Sequence, residues 1–265
     1  MPTRKATRSA RSEIRQSKKA MKNYLDRRFH YQTQRALMRE RNSYSKTDPD
    51  ATFMRMKDDH MQNGQLKAGY NLQIATNHQY VLGYDIFWNP TDTRTLDPFL
   101  YTMQHTFQHL PECIVADAGY GSESNYECVI DKYERQPLIP YPTYHKEQKK
   151  KYLENEMHPD HWEYNEIDDY YYVCPNDRRL PLKRHSTRTD KYGYQRVIKI
   201  YECEGCQGCP LMTLCKSSES DRPKQIHKNM NLAYFKAQVK QTLSSPKVVI
   251  DMRNAKLMSK PLLET

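Results

Sequence analysis

The chain has 265 residues and a formal net charge of +10; its pI is near 9.1 and its mean hydropathy is −1.00. No run of residues is apolar or long enough to suggest a membrane span, and the basic N-terminus has no apolar stretch behind it of the kind that directs export. The expectation is therefore a cytoplasmic chain of one large or two small domains, with no membrane partner, whose seven cysteines are reduced thiols or metal ligands.

Residues 1–46 carry 14 Lys and Arg against three acids, so this segment alone holds +11 and accounts for the whole positive excess. Its few apolar residues, Ile14, Met21, Leu25, Phe29 and Leu37, recur at roughly helical intervals, which predicts one or two exposed helices. Arg4, Lys5, Arg8, Arg11, Arg15, Lys18 and Lys19 are the candidate contacts to a nucleic-acid phosphate backbone; the competing reading is a solvated basic face.

The segment Ser43-Tyr44-Ser45-Lys46-Thr47-Asp48-Pro49-Asp50-Ala51 follows, with two acids flanking a proline that fixes the local backbone. Taken alone it reads as an Asp-Pro turn. Residues 69–75 alternate apolar and polar side chains and residues 80–88 are more continuously apolar, predicting an antiparallel hairpin with His78 in its connection. Residues 89–93 read as a loop in which Asp92 caps the next helix rather than acting chemically. Leu96, Phe99, Leu100, Met103 and Phe107 trace one face of that helix. Cys113-Ile114-Val115-Ala116 reads as a short buried strand that delivers Asp117 at its C-terminal end. Gly119 and Gly121 then break the strand, and Ser122-Glu123 starts a helix.

An acid-bearing segment, two paired strands, a helix and a strand ending in an acid is the order of an RNase H-like α/β fold. In that fold the first and fourth strands lie side by side, so that both acids reach one edge of a mixed sheet with flanking helices. Joined by a third carboxylate from a later helix, such acids can hold two divalent cations for in-line attack at a phosphodiester.

Residues 131–172 are polar and tyrosine-rich. A strand-like run over 170–173 leads to Cys174, and another over 196–201 leads to Cys203, Cys206, Cys209 and Cys215. Two strands feeding closely spaced cysteines are similar to a zinc ribbon, with Cys174, Cys206, Cys209 and Cys215 as the expected ligands of a structural Zn2+ and Cys203 as a spare. Cys113 and Cys128 are expected to pack in the core. Residues 232–243 read as a helix, and after Ser244-Ser245-Pro246 the pattern dissolves. The expected organisation is a basic helical arm over 1–46, the first part of the core over 47–135, a polar insertion with the cysteine cluster over 136–225, and a helix with an irregular tail over 226–265.

Four motifs together, the segment 43–51 around Asp48-Pro49-Asp50, Gly69-Tyr70-Asn71-Leu72-Gln73, Pro90-Thr91-Asp92 and Ala116-Asp117-Ala118-Gly119-Tyr120-Gly121-Ser122, resemble bacterial insertion-sequence transposases of the DDE class. The resemblance runs from about residue 1 to residue 246, within the branch that carries a cysteine-rich insertion. It implies DNA transposition by metal-dependent strand cleavage and transfer. Asp48 or Asp50 would be the first catalytic acid and Asp117 the second, binding Mg2+ or Mn2+. It further implies transposon ends and target DNA as partners, a homodimer as one option, and a nucleoid-associated place in a bacterial cell. The family continues into a helix reading Arg-Lys-Ile-Asp-Val-Glu, whose Glu is the third acid. Residues 247–265 do not carry it: their acids are Asp251 and Glu264. Residues 252–261 can, however, be encoded so that a shifted frame reads Tyr-Ala-Gln-Arg-Lys-Ile-Asp-Val-Glu-Ala. The expectation is a truncated, frameshifted and inactive remnant. The alternatives are a non-catalytic DNA-binding protein or transposition inhibitor, or a nuclease drawing its third acid from Glu154, Glu156 or Glu163.

Overall fold

The computed structural model describes residues 4–55, 63–77, 80–166, 171–216 and 222–245, with side chains from Ala10 onward. The chain divides into two units, Met1–Ala75 with Tyr84–Thr91, and Thr76–Gly83 with Asp92–Thr265.

The first unit opens with helix α1, Arg4–Met38, of 35 residues. Its length follows from the absence of Gly and Pro over that span. The apolar stripe read from the sequence is there but stays in solvent: Ile14, Met21, Leu25 and Phe29 are 54–72% exposed. The helix stops at Arg39, whose φ of 53° is left-handed and whose N–H donates to Arg35 O at 3.1 Å. Strand β1, Thr52–Arg55, pairs antiparallel with β2, Leu66–Gly69. Strands β3, Asn71–Asn77, and β4, Tyr80–Phe87, form a second two-stranded sheet at the predicted hairpin. His78, placed in its connection, lies outside the described residues.

The second unit contains helix α2, Leu96–Phe107, whose Leu96, Phe99, Leu100 and Met103 are buried as the sequence pattern requires. Phe107, the last residue of that stripe, is 46% exposed, because the helix ends there in a left-handed Gln108. Strand β5, Cys113–Val115, pairs in parallel with β6, Gln136–Leu138. Helix α3, Glu123–Glu127, and the π turn Cys128–Lys132 provide the crossover. Short helices α4, Tyr144–Glu147, and α5, Lys150–Leu153, follow. Tyr126, fully buried in this core, donates its hydroxyl to Ile139 O at 3.0 Å, so the ring fills apolar space without leaving its polar atom unpaired.

Two further sheets make up the cysteine-bearing region. One joins β7 (Glu163–Asn165), β8 (Tyr171–Val173) and β9 (Arg179–Leu180). The other joins β10 (Leu182–Thr189), β11 (Gln195–Glu202) and β12 (Gln225–Lys228). They share a small core of Trp162, Tyr172, Leu180, Tyr201, Cys203 and Ile226. Helix α6 is the single turn Met212–Cys215. Helix α7, Met230–Leu243, then buries Phe235, Val239 and Leu243. The architecture is mixed α/β, as expected. Among the described residues, however, the strands form five small sheets rather than one continuous sheet. The expected tail replacing a final helix, residues 246–265, lies outside the described residues.

Candidate active site

In the first unit the two acids around Pro49 occupy one turn. Ala51 N–H donates to Asp48 O at 3.1 Å. Asp48 Oδ1 accepts the Asp50 N–H at 3.3 Å, and its Oδ2 accepts the Tyr70 hydroxyl at 2.8 Å. That bond, with the nearby charge of Asp48, raises the Tyr70 pKa above that of an ordinary phenol. Asp50 points to solvent and lies 3.9 Å from Arg39 Nη2. Asp48 is thus the more firmly oriented carboxylate.

The turn is held by a residue whose role the sequence did not reveal. Arg41 is only 8% exposed. Its guanidinium donates to the carbonyls of Leu37 (2.6 Å), Met38 (3.2 Å), Pro49 (2.7 Å), Asp50 (2.8 Å) and Ala51 (3.4 Å). A planar fork of five donors suits a cluster of carbonyls. In sequence it is one basic residue among fourteen.

In the second unit Asp117 follows β5 with extended backbone and caps the 3-10 turn Ala118–Tyr120, its Oδ1 accepting the Gly119 N–H at 2.8 Å. Its side chain is exposed. A Cβ added at Gly119 would lie 2.9 Å from Asp117 Oδ1 and 3.1 Å from Asp92 Oδ2, so the two carboxylates flank the same small space. Asp92 does not cap α2: Thr95 holds that position, and Asp92 instead heads the 3-10 turn Asp92–Arg94. Its carbonyl oxygen accepts the Thr95 N–H and hydroxyl at 3.0 and 2.9 Å. Burial, then the charges of Asp92 and Asp117, drive the Tyr120 phenol pKa well up.

Behind Asp117 the loop is locked. A Cβ at Gly121 would come within 2.4 Å of Pro140 O and 2.8 Å of Tyr141 Cα, both main-chain atoms, so only glycine fits. Ser122 caps α3 through Asn125 N–H, and Asn125 Nδ2 donates to Tyr120 O at 2.8 Å. Glu123, read from sequence as no more than a helix start, is 4% exposed. It accepts Asn229 Nδ2 at 2.5 Å and Asn231 Nδ2 at 2.9 Å, and lies 3.6 Å from Arg196 Nε. Asn229 is also the cap of α7. Two of the partners lie 106 and 108 residues further along the chain, beyond any local pattern.

The five cysteines of the insertion, Cys174, Cys203, Cys206, Cys209 and Cys215, line one pocket together with Met157, Leu211 and Met212. Cys206 Sγ accepts the Lys224 N–H at 3.2 Å. Burial pushes the Cys203 thiol up to about 11 and raises Cys215 as well. Among the described residues, no group of three or more His, Cys, Asp or Glu side chains is arranged to hold a metal ion. The zinc site expected at Cys174, Cys206, Cys209 and Cys215 therefore finds no support, although the four thiols line a common pocket. Cys113 and Cys128 are half-buried, and burial brings the Cys128 thiol up to about 12.

Of the basic arm, Arg11, Arg15, Lys18 and Lys19 are exposed on α1, while the side chains of Arg4, Lys5 and Arg8 lie outside the described residues. Glu154, Glu156 and Glu163 are all exposed, and Glu154 pairs with Lys150 at 3.6 Å on the same helical face. No described helix is long and apolar enough to cross a membrane.

The model of the transposase DDE domain matches residues 41–255, a span that includes both the Asp48-Pro49-Asp50 turn and the Asp117 loop. No curated protein and no solved structure matches the chain. With most of its length covered by that one model, the chain belongs to the transposase DDE-domain family.

Proposed function

We propose that this chain is an insertion-sequence transposase built to act on DNA through Asp117 and one of Asp48 and Asp50, with an RNase H-like arrangement of its core, and that its own strand-cleaving activity is weak or absent. The family match across both acidic motifs carries this reading. Asp48 is the better candidate for the first acid, since Tyr70 and the Arg41-held turn fix it while Asp50 points to solvent. Carboxylate oxygens are the donors that Mg2+ or Mn2+ prefers. Such an ion, when bound, would activate water and offset charge on a phosphodiester. The chain's own part is to present the acids: Asp117 keeps one oxygen tied to Gly119 N–H, which sets the direction of the other. Arg11, Arg15, Lys18 and Lys19 would grip phosphates without reading sequence.

Weak cleavage is inferred from residues 226–265, which offer no glutamate matching the family's third acid. With two acids, a second cation would be poorly held. The test is cleavage of a labelled transposon-end duplex in Mg2+ or Mn2+, beside Asp117→Asn. We expect salt-sensitive DNA binding with no nicking, the behaviour of a DNA-binding remnant or inhibitor. Metal-dependent cutting that disappears in Asp117→Asn would overturn the inactivity and uphold the role of the acid. Cutting that survives in that variant would remove Asp117 from the site.

A further inference from the structure

We infer that the β10–β11 ribbon is a second phosphate-binding surface for duplex DNA, set beside the Asp117 loop and separate from the basic arm. It rests on the reading that the chain binds DNA, and it names a place where binding occurs.

The two strands pair antiparallel from Leu182↔Tyr201 to Thr189↔Gln195. Because side chains alternate across a strand, Arg184, Ser186 and Arg188 share one face with their partners Ile200, Ile198 and Arg196. Residues 182–201 contain six Lys and Arg and a single acid, Asp190. That acid is already engaged. It accepts the N–H groups of Tyr192 and Tyr194 at 2.9 and 3.0 Å, bonds Arg94, and lies 4.0 Å from Arg196. Lys183 is paired with Glu202 at 2.5 Å. Arg184 and Arg188 are exposed, and among the described residues neither meets an acid; Arg188 Nη2 approaches His227 Nδ1 at 3.4 Å.

Arg188 sits directly opposite Arg196, and like charges directly opposed across a ladder repel. Arg196 offsets its charge through Glu123 and Asp190, which leaves Arg188, with Arg184 on the same face, as the cations a polyanion would neutralise. Arg184 and Arg188 are four residues apart, roughly 13 Å along the strand, a span that fits two phosphates about two steps apart on one backbone and not a small anion. The turn of the ribbon is anchored beside the Asp117 loop: Arg94 bonds Asp190 and stacks over Tyr192 at 4.1 Å, and Arg94 closes the 3-10 turn that begins at Asp92, whose carboxylate flanks Gly119 together with that of Asp117. Phosphates held by Arg184 and Arg188 would belong to a duplex running past Asp117.

The experiment is fluorescence anisotropy with a labelled duplex over a salt series, using the full chain. Arg184→Ala/Arg188→Ala should reduce the slope of log K against log salt by about 2, close to 0.9 for each phosphate that is no longer neutralised. Arg184→Lys/Arg188→Lys should keep the wild-type slope. Both variants should keep the wild-type melting profile, since the replaced side chains are exposed. A quadruple Arg11, Arg15, Lys18 and Lys19→Ala variant reports on the arm separately. A wild-type slope in the ribbon alanine variant, with a reduced slope only in the arm variant, overturns this inference and leaves the DNA reading standing. Absence of binding by the unmodified chain overturns the DNA reading itself.

Discussion

Replacing Glu123 tests the framework that carries Asp117. The carboxylate is 4% exposed, with two amide donors at 2.5 and 2.9 Å and a guanidinium at 3.6 Å. Each hydrogen bond to a charged acceptor contributes about 1.5–3 kcal/mol, and breaking a buried charged set costs about 3–5 kcal/mol. Arg196 is 38% exposed and regains water when released, so the lower end applies. Glu123→Ala should cost about 3–4 kcal/mol. Glu123→Gln keeps the shape and one acceptor but loses the charge facing Arg196, and should cost about half as much. Urea unfolding followed by tyrosine fluorescence measures both, with an unchanged m-value showing that the denatured state is the same. Hydrogen exchange should show the weakening concentrated at the first turn of α7, where Asn229 and Asn231 sit. A cost below about 1 kcal/mol for the alanine variant, or protection that falls uniformly, would refute the claim that this carboxylate fastens α7 to the Asp117 loop.

Gly121→Ala should destabilise the second unit by about 1–3 kcal/mol or more, because the added methyl meets main-chain atoms; a thermal melt equal to that of the parent would contradict the close packing. Arg41→Lys should cost about 2–3 kcal/mol by leaving several of the carbonyls without their donor, with the salt dependence of DNA binding unchanged. In Arg41→Ala, a slope reduced by about 1 with no change in stability would instead make Arg41 a phosphate-binding residue. The pH dependence follows from carboxylates held below their ordinary pKa, among them Asp97, Glu147 and Asp160. For Asp97, burial pushes upward and is outweighed by Lys132 and Tyr133. For Glu147 burial is outweighed by Thr143, Tyr141 and Lys236, and for Asp160 by Lys228 and Tyr152. Depressed acids stabilise the fold above their unfolded pKa and cease to do so as pH falls through the folded value. The melting temperature should therefore be steady near neutrality and decline below about pH 4, less steeply in Asp97→Asn; an identical decline in that variant would remove Asp97 from the account.

Features governed by neighbouring residues were legible in the sequence. The stripe Leu96, Phe99, Leu100 and Met103 gave α2, the apolar run before Asp117 gave β5, although only Ile114 of that strand is buried and Val115 is exposed, and the glycines and Ser122 marked where the loop ends and α3 begins. The gathering of the insertion's cysteines around one pocket was legible from their spacing, whereas a metal-holding geometry is not formed among the described residues. What stayed hidden depends on partners distant in the chain. Arg41 is indistinguishable in sequence from the basic residues around it that face solvent, and Glu123 has no local partner to mark it. Asp92 departs from its sequence reading: a carboxylate before a helix suggests a cap, yet Thr95 holds that position and the Asp92 side chain faces Gly119.

One side chain in the first unit has a mechanical consequence. The last carbonyls of the long basic helix and the carbonyls of the acidic turn converge on the Arg41 guanidinium, which works as the pin of a lever. Any load that swings the helix shaft is delivered to the residues bracketing Asp48 rather than dissipated in a loose joint.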